Sequence, residues 1–437
     1  METRRALRTV QLLSLPAGAC ALAVEGAARR LVGQDRDAVA RDLRTRNAAR
    51  TRRVLGGLKG GALKAGQLLS TVEALFPQDP ESTWRDALVG LQESNAPLPF
   101  SEIEPVLALE LGEDWRTRLP VLEPVTAAAA SLGQVHRGRW HDGREVAVKV
   151  QYPGVREALA ADVRTLSAVS RATALVARGL SLPPLVAEMR DRLTEELDYE
   201  HEARTQTAFA EAYDGDPDVR VPTVVHATGR VLVMEWLEGT PLAMVARNAD
   251  QSARNRAALL YQRFLVSGPE RARLLHTDPH PGNFRMLPDG RLGVLDFGSS
   301  LAMPDGMPAT FGRLIKALLS DDADEVLRRL REERFLKPDV EVEVGKLVDY
   351  MALFTVPARY ETFRFTRQWL RTEFGRVNDP RNPDFGVALK LDLPAEHLFT
   401  HRVWLGMVGV LCQLEAEVPV GPVLRRWLPE FEDRTSA

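Results

Sequence analysis

LLHTDPHPGNF, residues 274–284, sets Asp278 and Asn283 five positions apart among prolines and a glycine that forbid a regular helix. A turn at Pro288-Asp289-Gly290 follows, and then a short apolar stretch, RLGVLDFG, residues 291–298. The two segments make a hairpin-like unit with Asp278 near one end and Asp296 at the other. Such a unit can bring both carboxylates and Asn283 to one mouth. That supplies hard oxygen donors for a magnesium ion and a carboxylate to orient or deprotonate an acceptor, as a Mg-nucleotide site requires. Each piece alone has a plain reading, Pro-Gly as a structural turn and Asp-Phe-Gly as a chance tripeptide. Order and spacing along the rest of the chain decide the matter.

Working outward, REVAVKV, residues 144–150, is rich in β-branched residues and follows the turn signal Asp142-Gly143, which predicts two strands at GQVHRGRW and REVAVKV. Lys149 inside an apolar strand needs an anionic partner, because burying an unpaired ammonium is expensive; a strand-edge lysine reaching solvent is the plain alternative. TEELDYEHEA, residues 194–203, is densely acidic. If helical, it puts Asp198 and Glu202 on one face and Glu196 and Glu200 on another, although a solvated acidic helix has the same composition. VRVPTVVHATGRVLVMEWL, residues 219–237, predicts further short strands around a turn at Thr228-Gly229. Residues 183–213 read as helical, as does nearly everything after about 240 except RLGVLDFG.

A lysine in VAVK, an acidic helix, a strand ending VMEWL, a D-x-x-x-x-N loop and a D-F-G stand in the order of the kinase parts list. The expected fold is therefore α+β and bilobal, protein-kinase-like, with a small β-containing N-lobe at 120–238 and a large helical C-lobe at 239–437. An Arg/Ala-rich helical segment at 1–54 and a helical extension at 55–119 precede it. In this frame Lys149 holds the α/β-phosphates, Asn283 and Asp296 hold Mg2+, Asp278 acts on the nucleophile, and the backbone of Glu235 to Leu237 meets adenine. ATP or ADP is the expected nucleotide.

Bulk composition narrows the setting. The 57 basic residues nearly balance 60 acidic ones, so the chain as a whole lacks the electrostatic footprint of a nucleic-acid binder. Cys20 and Cys412 are its only cysteines, which leaves no disulfide framework or zinc cluster and suggests a reducing, cytoplasmic home. The uncharged stretch 9–24 is short for a membrane span and is broken by Pro16 and Gly18; a signal peptide is its rival reading. RDLRTRNAARTRR, residues 41–53, reads as a solvated helix face or a peripheral contact with anionic lipid at the inner membrane face.

Two features depart from an ordinary protein kinase. The loop before the first strand pair, TAAAASLGQVH at 126–136, has alanines where a glycine-rich phosphate cover is expected, so Ala128, Ala129, Ala130 and Ser131 would cradle phosphate differently. LKAGQLLS, residues 63–70, places Lys64 and Gln67 one helical turn apart. With K-x-G-Q, an alanine-rich loop, E-x-D and D-P-H-P-G-N in order, the chain resembles the UbiB/AarF/ADCK family of atypical kinases over about residues 55–320. The resemblance implies that Glu202 partners Lys149, that Glu196 and Asp198 face Lys64 and Gln67, and that the N-terminal helical extension packs over the active site. It further implies ATP hydrolysis and small-molecule or isoprenoid-lipid substrates, such as quinones, rather than proteins. Thr277 stands where many relatives have alanine, and the chain lacks the paired C-terminal membrane helices of bacterial quinone-pathway members. Two other readings are a nucleotide-responsive, non-catalytic scaffold for lipid-biosynthetic partners and a soluble small-molecule phosphotransferase of the aminoglycoside type.

Overall fold

The computed structural model describes Arg29, Asp42 and residues 97–130, 132–157, 159–160, 197–320, 322–378, 387 and 390–431. Lys64, Gln67, Ser131 and Glu196, the stretch 9–24, most of the arginine run at 41–53 and the helical extension up to residue 96 lie outside the described residues. The fold is mixed α+β and kinase-like, divided into two compact units. One gathers the described residues up to Glu200 with Val225–Met234, the other His201–Val224 with Glu235 onward.

The first unit is built on a five-stranded sheet of order β1-β2-β3-β6-β5, with β1 at Val121–Ala129, β2 at Gly133–Arg139, β3 at Glu145–Gln151, β5 at Val224–Ala227 and β6 at Val231–Glu235. The β2–β3 hairpin pairs Gly133 with Gln151 through Arg139 with Glu145, and closes at Asp142-Gly143 as expected. Gly143 has φ +93°, a left-handed conformation that costs glycine little. Helix α1, Phe100–Leu111, buries Ile103, Val106, Leu107 and Leu111, a helical stripe, against Val146, Val148, Val150, Val231 and Val233. Nonpolar contact thus covers one face of the sheet that carries Lys149.

One expectation is corrected here. Ala128 and Ala129 do not form a loop: they end strand β1, paired with Val135 and Gln134, and the Ala130 N–H donates to the Gly133 carbonyl at 3.0 Å. Alanine has little strand preference of its own. Pairing to β2 imposes the conformation, with register shifts near Thr126.

Helix α2, Tyr199–Ala212, begins in the last residues of the first unit and continues into the second; it starts where Asp198 Oδ1 accepts the backbone N–H of Glu200 at 3.0 Å. Asp198 therefore caps the helix and does not share its body with Glu202, which corrects the common-face expectation for that pair. Helix α4, Gln251–Arg271, follows the short α3, Leu242–Asn248; it is capped by Asp250 and wholly buries Leu260 and Tyr261. Helix α5, Ala309–Leu319, helix α6, Leu398–Leu414, and helix α7, Val420–Trp427, pack in the same unit. The expectation that almost everything after about 240 is helical except RLGVLDFG is also corrected. Strands β4, Val219–Arg220, and β7, Thr240–Pro241, join β9, Phe284–Met286, and β10, Leu292–Val294, in a sheet of order β4-β10-β9-β7, while β8, Leu274–His276, pairs with β11, Ser300–Ala302. Strands of two or three residues are too short to show alternation. Among the described residues no helix is long and apolar enough to cross a membrane.

Candidate active site

Two antiparallel ladders build the site. β8 and β11 pair His276 with Ser300, and β9 and β10 pair Phe284 with Val294. The first strand of each ladder flanks the 278–283 loop, and the second flanks the 296–298 segment, so the two irregular stretches are held side by side. Backbone bonds extend the ladders into them: Thr277 N–H to the Ser299 carbonyl at 3.0 Å, and Leu295 N–H to the Asn283 carbonyl at 2.9 Å. Thr277 adds a hydroxyl contact with Ser299 at 2.7 Å, a bond alanine cannot make.

Within the loop, Pro281–Asn283 forms a single 3-10 turn whose start is capped by His280 Nδ1, which accepts the Gly282 N–H at 3.1 Å. The turn delivers Asn283 Nδ2 to Asp278 Oδ2 at 2.9 Å and to the Asp278 carbonyl at 3.2 Å. The amide thereby spends its donor on Asp278 and keeps its oxygen end as an acceptor. Asp296 Oδ1 accepts the Gly298 N–H at 3.0 Å. A Cβ built on Gly298 would lie 3.3 Å from Asp296 Oδ1 and 3.3 Å from Glu202 Oε2, so both carboxylates crowd the same glycine. Glu202 is 2% exposed on α2.

Neighbouring groups fix these positions. His276 Nε2 contacts the Asp296 carbonyl at 2.7 Å; the carbonyl can only accept, so Nε2 carries the proton. Burial lowers the His276 pKa, keeping the ring neutral. Phe297 is fully buried between Phe209, at 5.1 Å, and His276, at 5.7 Å, which anchors Asp296 from the next residue. The Tyr261 hydroxyl donates to the Pro279 carbonyl at 2.6 Å, and burial, followed by the charge of Asp278, pushes its phenol well above the usual range. Tyr261→Phe leaves that carbonyl without its partner and is expected to lower stability by about 1–2 kcal/mol in denaturant unfolding; an unchanged midpoint would show the bond carries no net energy.

Lys149 sits on β3 of the first unit, 6% exposed, with Nζ 5.1 Å from the Tyr199 ring. Ala128 and Ala129 stand at the end of the edge strand β1, solvent-exposed. Glu235 opens the second unit's half of the VMEWL stretch. Its backbone N–H is taken by the Thr223 carbonyl at 2.9 Å. Burial alone would raise its carboxyl, but hydrogen bonds from Arg220 and Thr223 hold it below the usual value. The side chain is thus committed to an ion pair with Arg220. Leu237 follows, 9% exposed.

Three residues outside the sequence expectation complete the mouth. Arg402, on α6, places a guanidinium nitrogen 3.9 Å from Asp278 Oδ1. One turn on, Gly406 lets α6 approach the loop: a Cβ there would come within 2.3 Å of Pro279 Cγ. Tyr261 is the third. The charge of Arg402 within the apolar run HLFTHRVWLGMVGVL is the one trace of this in the sequence.

The donor set fits a magnesium ion. That ion demands oxygen ligands, keeps several waters, and usually takes one or two protein groups plus nucleotide phosphates. Asp296 and the Asn283 amide oxygen are groups that could hold it with waters and phosphate oxygens; among the described residues no three His, Cys, Asp or Glu side chains form an all-protein cage.

The fold and these motifs define an atypical, kinase-like protein. The profile of the ABC1 atypical kinase-like domain matches residues 90–330, more than half the chain, and the chain belongs to that family. It is 35% identical over 295 residues to "Atypical kinase COQ8B, mitochondrial" of Rattus norvegicus, an alignment covering 66% of this chain and 55% of that one. To "Atypical kinase COQ8, mitochondrial" of Schizosaccharomyces pombe it is 31% identical over 418 residues, 93% of this chain and 66% of the relative. The chain spans about half the length of most of these curated relatives. A solved structure, "The complex structure of Rv3197-erythromycin from Mycobacterium tuberculosis", superposes with a TM-score of 0.71 at 36% identity, covering 91% of this chain and 100% of that one.

Proposed function

We propose that the chain binds a Mg-nucleotide and transfers or hydrolyses its terminal phosphoryl group, acting on a small molecule or an isoprenoid-type lipid rather than on a protein. The observation that carries this reading is the Asn283–Asp278 bond of 2.9 Å, set beside Asp296 by the two ladders. When bound, magnesium would neutralise phosphate charge, held by Asp296 and Asn283. Asp278 orients an acceptor hydroxyl and takes its proton as the acceptor oxygen bonds to the γ-phosphorus and the bond to the bridging oxygen breaks, releasing ADP. With water as the acceptor the same step is hydrolysis.

In the same reading Lys149 pairs with Glu202 and holds the α/β-phosphates, the Ala128 to Ser131 segment covers them, and the main chain of Glu235 and Leu237 meets adenine. Lys64 and Gln67, with Glu196 and Asp198, would govern access. The erythromycin bound by the mycobacterial relative supports a small, largely apolar acceptor or effector over a peptide. A cytoplasmic site, with salt-sensitive contact to anionic lipid through the N-terminal arginines, is compatible with such a substrate.

Thermal unfolding with Mg-ATP tests the metal assignment. At a ligand concentration a hundred times Kd, wild type gains about 2.7 kcal/mol, and Asp296→Asn is expected to lose nearly all of it. Undiminished stabilisation of the variant would sink the assignment.

A further inference from the structure

Phosphoryl transfer spreads negative charge over the γ-oxygens and the attacking and leaving oxygens, and a cation facing them contributes much of the rate. In the reading above Lys149 serves the α/β-phosphates, which leaves the γ side to be served by another group. Between Asp278 and Asn283 stand only Pro279, His280, Pro281 and Gly282, with no lysine or arginine. The two arginines of the adjoining hairpin are engaged elsewhere. Arg285 lies over the Trp236 ring at 5.8 Å, and Arg291 pairs with Asp289 at 2.6 Å in the distal turn.

Arg402 is placed differently. Its side chain is 20% exposed, and its guanidinium, which carries five N–H donors, makes no hydrogen bond among the described residues. Its charge partner is Asp278 Oδ1 at 3.9 Å, a separation that leaves room for an ion pair but is too long for a hydrogen bond. The Arg402 nitrogens are not among the buried polar atoms without a partner, so its donors remain open at the mouth and can be taken up by an anion that enters it. Asp278 is already engaged on its other oxygen by Asn283. The neighbouring anion that matches a planar fork of donors is a phosphate.

The close approach at Gly406 explains how a helix more than a hundred residues downstream reaches the loop. We infer that Arg402 is a catalytic residue of this chain: its guanidinium, delivered by α6, binds the γ-phosphate of the nucleotide and stabilises the charge that develops as the phosphoryl group leaves ADP. The inference rests on the Mg-nucleotide reading. It makes α6 part of the active site and not only of the core.

The test compares wild type, Arg402→Met and Arg402→Lys in phosphate release and in thermal stabilisation by Mg-ATP and Mg-ADP. Arg402→Met is expected to release phosphate at least roughly a hundredfold more slowly, as removal of an arginine finger does. It should keep wild-type stabilisation by Mg-ADP but lose the extra stabilisation that Mg-ATP gives. Arg402→Lys, which keeps the charge and the packing, should fall between, and millimolar guanidinium should restore part of the Arg402→Met rate. An unchanged rate would overturn the assignment. So would an equal loss of ADP and ATP stabilisation without guanidinium rescue, since a purely structural arginine would give that pattern. A wild-type protein stabilised by neither nucleotide would remove the underlying reading, and this inference with it; a nucleotide-stabilised wild type beside an indifferent Arg402→Met removes the inference alone.

Discussion

Asp278→Asn is expected to slow phosphate release by about a hundredfold to ten-thousandfold while leaving stabilisation by Mg-nucleotide close to wild type. The substitution is nearly isosteric, and an asparagine oxygen can still accept the Asn283 amide that now reaches Oδ2. What it cannot do is take a proton from an acceptor hydroxyl. Because the proposed metal ligands are Asp296 and Asn283, binding and chemistry should separate in this variant. The same protein measured by unfolding and by phosphate release decides the matter. Equal release by wild type and variant would favour a nucleotide-responsive scaffold over an enzyme, and a joint loss of binding would move Asp278 into the metal set.

Gly312→Ala is expected to have the largest effect on stability. A Cβ at this position of α5 would lie 1.8 Å from the Pro429 carbonyl oxygen and 2.8 Å from the Phe431 backbone nitrogen. Both obstacles are backbone, so no side-chain rotation relieves them. The segment after α7 must lift, carrying Leu428 and Phe431 out of the core they share with Val423 and Leu424. Overpacking of this kind costs about 3 kcal/mol or more, and calorimetry should show a melting temperature lower by several degrees. Gly345→Ala is the matched control, since a Cβ there meets nothing within 4 Å; a helical alanine should be neutral or mildly stabilising. Equal melting temperatures for the two variants would show that the C-terminal segment yields without cost.

The parts of the site that were legible in the sequence are those fixed by local chemistry. Pro281 and Gly282 announce a turn, and a turn of that length sets Asn283 against Asp278. The strands at 133–139, 145–151 and 231–235 were legible because strand-forming residues and flanking turn residues agree over five to seven positions. Ala128 and Ala129 were misread as loop because their strand conformation is imposed by β2, a partner that composition does not reveal. Asp198 was assigned a helical face because charge spacing is visible in a sequence while the start of a helix is only loosely so. Arg402 was out of reach for a different reason. Its partner stands 124 positions away, and no periodicity connects a charge on one helix with a loop so distant in the chain.

His276 has a consequence of its own. Its ring ties the residue two before Asp278 to the carbonyl of Asp296 across 2.7 Å, inside a shell of Phe209, Phe264, Phe284 and Phe297. The proposed base and the proposed metal ligand are therefore two teeth of one gear, unable to drift apart without tearing an aromatic core. Whatever diversity of acceptor this scaffold supports must come from elements that border the pair, while the pair itself stays fixed.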